Sequence, residues 1–205
     1  MESTIGFILL VIVWLALTLF FRYYRIWLPY YVIGAVGLSL LLIFAGARFV
    51  PFERWMELAT TQGAHAYCQL LGVQTRVFEA TPSDILVWVV LQEPGWTIVR
   101  VTVECSGFLE MAVLIGLLVF YPGWTIWQRA GYILLGLVTV FGANLIRVVV
   151  ILTILHTFGK SSIFLAHTVI GRILFFFLVI GIYWLLLSRL TLQKLSADIE
   201  TRMRA

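Results

Sequence analysis

Long apolar stretches, each closed by a polar or turn-forming segment, dominate the chain. A membrane-spanning helix needs about 20 predominantly apolar residues. Stretches close to that length cover residues 4–21, 30–50, 106–121, 129–157 and 166–188. The pattern predicts an all-α integral membrane protein with about five transmembrane helices.

The segment 51–104 contains no such stretch and is predicted to form a small extracytoplasmic insertion. Phe52, Trp55, Met56 and Ala59 recur at helical spacing. That spacing predicts an amphipathic helix lying in the membrane interface.

The rest of the insertion has the pattern of a β-hairpin. Residues 85–91 are rich in β-forming side chains, residues 96–103 alternate, and residues 92–95 have a turn composition. If the alternation continues, Cys105 lies on one face of the second strand and at the outer mouth of the third span.

Composition and charge support the membrane class. The chain is 62% hydrophobic and only 12% charged, whereas soluble domains are about a quarter charged. Its net charge of +4 comes mostly from basic residues at the ends of apolar stretches, without a basic patch interleaved with aromatic residues. This distribution predicts a lipid bilayer as partner and no nucleic acid.

The basic residues also predict an orientation. One side of the membrane collects Arg22, Arg25, Arg129, Arg189, Lys194, Arg202 and Arg204. The positive-inside rule then places the N-terminus outside and the C-terminus in the cytoplasm of a multi-pass plasma-membrane protein. Residues 1–50 would hold two helices, 51–104 the insertion, 105–188 a three-helix core and 189–205 a basic cytoplasmic tail.

Polar residues interrupt the three C-terminal spans at similar heights. Cys105 and His167 begin two spans that descend from the outer side, and Asn144 and Arg147 share one face of the span between them. Arg147 lies roughly 15 Å of helix below the outer end of its span, and a long side chain recovers part of that distance by snorkelling. The three residues Cys105, Arg147 and His167 are therefore expected to converge below the outer surface.

Such a set supports acyl transfer. A thiolate attacks an amide carbonyl, and a nearby cation or helix N-terminus favours the thiolate. A histidine can take the thiol proton and return it to the leaving amine, and an arginine can stabilise the oxyanion. The two cysteines form no zinc-binding pattern, so no metal or organic cofactor is implied.

Structural roles for the same residues are open alternatives. A cysteine in a membrane protein is most often a small apolar filler, and a histidine at a span entrance is most often interfacial. An intramembrane charge is functional by default, but Arg147 could instead form a buried pair with Glu110. Glu110 is equally placed to pair with Arg172.

Other cysteine and histidine combinations compete with this set. His65 and Cys68 are three residues apart and face the same way on the predicted interfacial helix. His156, at the outer end of the fourth span, is a second candidate base. A disulfide between Cys68 and Cys105 is a further possibility on an oxidising face.

Three short blocks carry a resemblance to a known family. They are VECSG at 103–107, ANLIRV at 143–148 and AHTVIGR at 166–172. In this order and with this topology they resemble the exosortase/archaeosortase family over about residues 100–175. Many members are longer, and the chain is most similar to a compact branch associated with Gram-positive bacteria.

The resemblance implies a membrane-embedded cysteine protease or transpeptidase that acts on C-terminal sorting signals. Cys105 would be the nucleophile, His167 the acid/base and Arg147 the transition-state stabiliser, with Asn144 orienting Arg147. The implied partners are membrane-anchored substrate proteins bearing a motif, a transmembrane helix and a basic tail, and a surface acceptor.

The same resemblance makes Ser106, Glu110 and Arg172 supporting residues.

Three other functional classes are compatible with the residues. A small transporter or channel subunit could line a polar path with Arg147, Glu110 and Arg172, and a non-enzymatic scaffold would bury Cys105 as an inert thiol. An acyltransferase acting on lipids could use His167 without Cys105.

Overall fold

The structure is a computed structural model that describes residues 2–48, 52–81, 84–90, 96–101, 103–122 and 124–189. The elements are α1 (Glu2–Tyr23), α2 (Trp27–Arg48), α3 (Phe52–Leu70), β1 (Thr75–Thr81), β2 (Asp84–Val90), β3 (Trp96–Val101), α4 (Val103–Ser106), α5 (Phe108–Phe120), α6 (Ile126–Phe158) and α7 (Gly171–Tyr183). A 3-10 turn at Lys160–Ser162 and π-helical turns at Leu165–Ile170 and Trp184–Arg189 flank α7. The predicted turn at 92–95 and residues 190–205 of the predicted tail lie outside the described residues.

Several apolar helices make this a membrane-embedded, largely helical protein, as the sequence pattern predicts. Within the described ranges, four helices are long and apolar enough to cross a membrane: Ile5–Tyr23, Trp27–Arg48, Ile126–Phe158 and Lys160–Ser188. The third apolar stretch forms α5, which has 13 residues. Its length of about 20 Å is less than a hydrocarbon core of about 30 Å, so the count of five spans stays a prediction.

Small residues let α5 pack closely against α2. A side chain at Gly34 would collide with the ring of Phe120, and one at Gly46 would collide with the ring of Phe108. Gly116 lies directly against the Ala35 carbonyl. Close backbone approach through small residues is a common way to pack helices within a bilayer. The two helices are therefore antiparallel, and the start of α5 lies level with the end of α2.

The longest helix, α6, connects two apolar clusters. It has 33 residues and is about 50 Å long, well beyond the hydrocarbon thickness of about 30 Å. The lower cluster includes Leu114, Leu118 and Val140, and the upper cluster includes Val148, Leu152 and Leu155. Asn144 and Arg147 are buried on α6 between these clusters, so a polar layer interrupts the apolar interior.

Helix α3 packs along the upper half of α6 with polar residues turned inward. Glu57, Thr60 and Thr61 are buried, whereas Trp55 is 71% exposed. The predicted apolar face is thus divided: its other three members line an apolar cavity of about 650 Å³ between α2, α3, α5 and α6, and Trp55 does not.

An antiparallel sheet of order β1-β2-β3 follows α3. Strands β2 and β3 fall on the two segments with β-strand patterns, with Val87 opposite Val99. Strand β1 was not predicted from the sequence and pairs with the other edge of β2. The expectation that the second strand runs on towards Cys105 is wrong, because β3 ends at Val101 and the next described residues form the helical turn α4.

Candidate functional site

Cys105 lies on the short helix α4, just before the left-handed turn that starts α5. Its side chain is only 4% exposed. The Cys105 Sγ lies 3.4 Å from the His167 Nε2, which is hydrogen-bonding distance for sulfur. The structure therefore brings together the first and last of the three predicted residues across an interval of 62 positions.

The backbone of Cys105 is held by Asn144. The Asn144 Nδ2 donates to the Cys105 carbonyl at 2.7 Å, and Asn144 is fully buried. The Asn144 Oδ1 is buried without a hydrogen-bond partner. The Asn144 amide therefore fixes the residue that carries the thiol, and the role in orienting Arg147 that the family resemblance implied stays a prediction.

Gly107 lets the chain turn from α4 into α5. Its φ is 75°, in the left-handed region that favours glycine. A Cβ at this position would lie 3.2 Å from the Asn144 Cβ. Both the backbone conformation and the close approach to Asn144 therefore require a glycine after Cys105-Ser106.

Ser106 supports this turn through two hydrogen bonds. Its hydroxyl accepts a hydrogen bond from the Phe108 amide at 3.2 Å. Its carbonyl accepts one from the Thr60 hydroxyl at 3.4 Å, which ties the turn to α3. Ser106 itself is fully buried. Ser106 thus holds the first residue of α5, while its supporting role in the site stays a prediction.

His167 belongs to the π-helical turn Leu165–Ile170 that leads into α7. π-helical turns within α-helices occur frequently at functional sites, because the extra residue per turn reorients side chains. His167 is half-buried, with its Nε2 directed at the thiol. The imidazole that contacts Cys105 thus lies within this turn.

Arg147 is buried beside the Cys105–His167 pair. It is 5% exposed, and its guanidinium carbon lies 5.0 Å from the centre of the Phe175 ring, a cation–π contact. It is close enough to His167 and to Glu110 to interact electrostatically with both. The sequence offered no signal for Phe175, which is one of several phenylalanines on an apolar helix.

Glu110 interacts with Arg147, which favours one of the two pairings left open by the sequence. Arg172 is exposed and interacts with His167. The Glu110 Oε2 is buried without a hydrogen-bond partner, and the Glu110 carbonyl accepts a hydrogen bond from the Tyr183 hydroxyl at 2.9 Å.

The competing pair is not assembled. The two ring nitrogens of His65 contact the Thr75 hydroxyl at 2.6 Å and the Gln69 amide at 3.0 Å. Cys68 is fully buried, and burial raises the pKa of its thiol to about 11. Cys68 and Cys105 are both free thiols, so the possible disulfide between them is not formed.

The two cysteines are predicted to differ in reactivity. At pH 8, roughly one Cys68 thiol in a thousand is ionised, and its thiolate fraction grows only as the pH approaches about 11. We expect iodoacetamide to modify Cys105 at least about tenfold faster than Cys68 in the folded protein. Peptide mass spectrometry after timed labelling measures this ratio, and faster labelling of Cys68 would contradict the assignment.

A cavity of about 320 Å³ adjoins His167. Its walls come from β3, from the C-terminal end of α6 and from the segment that precedes α7. The lining residues are Ile98, Val99, Ile151, Leu155, Ile163, Phe164, His167 and Thr168. A substrate group bound there would lie next to the imidazole that contacts the thiol.

In the part of the chain that the structure describes, no cluster of three or more His, Cys, Asp or Glu side chains is arranged to hold a metal ion. Comparison with family models, with curated proteins and with solved structures returned no match. Any functional conclusion for this chain therefore rests on its own residues.

Proposed function

We propose that this chain is a membrane-embedded cysteine peptidase or transpeptidase of the exosortase/archaeosortase type. Its proposed substrates are exported proteins that end in a short motif, a transmembrane helix and a basic tail. The observation that carries the proposal is the 3.4 Å contact between the Cys105 Sγ and the His167 Nε2 beside the buried Arg147. A filler cysteine needs no such partners.

The chemistry follows from the positions of these groups. His167 accepts the Cys105 thiol proton, and the thiolate attacks the scissile carbonyl of the substrate. Arg147 stabilises the negative charge that develops on the carbonyl oxygen. His167 then protonates the departing amine, which leaves with the membrane tail and the acyl group bound to Cys105 as a thioester. An amine, a hydroxyl group or water resolves the thioester.

The turn around Cys105 supports a role for the thiol that requires a fixed position. Asn144 and Gly107 fix the backbone on which the thiol is mounted, and rigid mounting of reacting groups lowers the entropic cost of reaching the transition state.

The proposed setting is the plasma membrane, with five spans, the N-terminus outside and the C-terminus in the cytoplasm. Helix α6 and the helix Lys160–Ser188 are both longer than a hydrocarbon core of about 30 Å, which leaves room for a site near the outer face. In that orientation their outer ends extend beyond the bilayer. The site would then be open to exported substrates and to a surface acceptor.

Thioester trapping tests the proposal. An exported reporter carries a randomised short motif, an apolar helix of about 20 residues and a basic tail, and it is co-expressed with the protein. We expect a hydroxylamine-sensitive adduct between reporter and enzyme whose mass maps to the peptide containing Cys105. Processing that proceeds without any adduct on Cys105 would refute the cysteine mechanism, and so would an adduct on Cys68.

A further inference from the structure

One edge of the sheet is open next to the proposed nucleophile. The strand order is β1-β2-β3, so among the described strands none pairs with the second edge of β3. Only residue 102 separates β3 from α4, which carries Cys105. An open strand edge exposes backbone amide and carbonyl groups that can pair with another extended chain.

The 320 Å³ cavity adjoins β3. It is lined by both Ile98 and Val99 of β3. Consecutive residues of a strand point to opposite faces, and here Val99 is buried whereas Ile98 is 36% exposed. The cavity thus contacts one residue from each face of β3, which is consistent with an opening at the unpaired edge of the strand. Its far wall includes His167.

We infer that an extended segment of the substrate pairs with the open edge of β3 as a fourth strand and places an apolar side chain in this cavity. The inference rests on the proposed function and specifies how that site recognises its substrate. Main-chain hydrogen bonds to β3 would hold the segment in register, and the cavity would select one side chain. In strand addition generally, the main chain provides affinity and side-chain pockets provide specificity.

The lining determines the chemistry of that side chain. Six of the eight lining residues are aliphatic or aromatic, and none is Asp, Glu, Lys or Arg. A charged side chain without a partner is costly in such a setting. The motif residue that enters the cavity is therefore a large aliphatic or aromatic one, such as leucine or phenylalanine.

The test uses tetrapeptides that end in a vinyl sulfone, to which the Cys105 thiolate adds. The protein is used at full length in lipid nanodiscs. One series varies each side chain among glycine, leucine, phenylalanine and aspartate. We expect that, at one position of the peptide, probes with leucine or phenylalanine label Cys105 at least about tenfold faster than the probe with aspartate. The readout is the second-order rate constant for labelling of the Cys105 peptide.

A second series carries a single N-methyl group on each backbone amide in turn. A strand paired along one edge uses the amides of alternate residues. N-methylation is therefore expected to slow labelling about tenfold at every second amide and little at those between. A flat response, or losses without this alternation, would overturn the strand pairing.

Two protein variants localise the side-chain preference. Ile163 lines the cavity, so Ile163→Trp should slow the phenylalanine probe at least about tenfold and leave the glycine probe almost unchanged. Leu165 is 52% exposed and is not part of the lining, so Leu165→Trp is the matched control and should change neither rate.

The outcomes separate this inference from the proposed function. If no probe labels Cys105, the proposed nucleophile fails, and the recognition mode fails with it. If the probes label Cys105 but show neither the apolar preference nor the alternation, only the recognition mode is refuted. Equal effects of the Ile163 and Leu165 variants would also refute it.

Discussion

Replacement of Cys105 by alanine is expected to abolish reporter processing, with a loss of at least about 10³-fold, because no other group can form the acyl-enzyme. The serine variant should be nearly as inactive, since a neutral hydroxyl is a far weaker nucleophile than a thiolate. Processing is measured as the ratio of cleaved to uncleaved reporter. A transporter or scaffold would retain its function in Cys105→Ser.

A matched control excludes a loss through misfolding. Cys68 and Cys105 belong to the same apolar cluster and are both buried. Cys68→Ala and Cys105→Ala should each cost about 1 kcal/mol of stability, measured as a shift in thermal unfolding. We expect only the Cys105 variant to lose processing. Equal losses of processing in the two variants would contradict a catalytic role.

Replacement of His167 by alanine is expected to slow processing by about 10²- to 10⁴-fold, the usual contribution of a general acid–base group. Because the cavity beside His167 has a volume of about 320 Å³, added imidazole can enter and should restore part of the activity. The assay is reporter processing with and without imidazole.

The control for this prediction is the histidine at the outer end of α6. His156→Ala removes the second candidate base and should change processing by less than about threefold, because the imidazole in contact with the Cys105 thiol is that of His167. Strong loss in His156→Ala together with full activity in His167→Ala would reverse the assignment of the base.

The membrane class and the approximate helix positions could be predicted because each apolar stretch is long, so that its average hydropathy identifies it without knowledge of its contacts. The approach of Cys105 to His167 was also predictable, since both residues were predicted to begin spans that enter from the same side. This argument needs only the order and direction of the spans. It requires no knowledge of how the side chains pack.

The end of β3 could not be predicted in the same way. Alternating residues continue past Val101, and local pattern alone favours a longer strand. The chain turns at α4 while Asn144, 39 positions away, binds the Cys105 carbonyl, and Gly107 adopts a positive φ. Contacts at such separations override local preference, so the exact presentation of the thiol depends on tertiary structure.

The contacts of Arg147 also could not be predicted from the sequence. Its charge marked it as a functional residue within an apolar span, but its stacking on Phe175 and its interaction with Glu110 depend on how α5, α6 and α7 pack. Spacing along the chain identified Glu110 and left its partner undecided between two arginines. Only the exposure of Arg172 and its interaction with His167 distinguish them.

In the proposed orientation, the excess length of α6 would make the lipid part of the environment of the proposed site. The helix has 33 residues, so about 20 Å of it exceeds an average hydrocarbon core. Membranes differ in thickness by a few ångströms, and a thicker one would raise hydrocarbon towards the level of Cys105. Water would then reach the thioester less often than a nucleophile dissolved in the membrane. Lipid thickness would thus shift the balance between hydrolysis and transfer without any change in the protein.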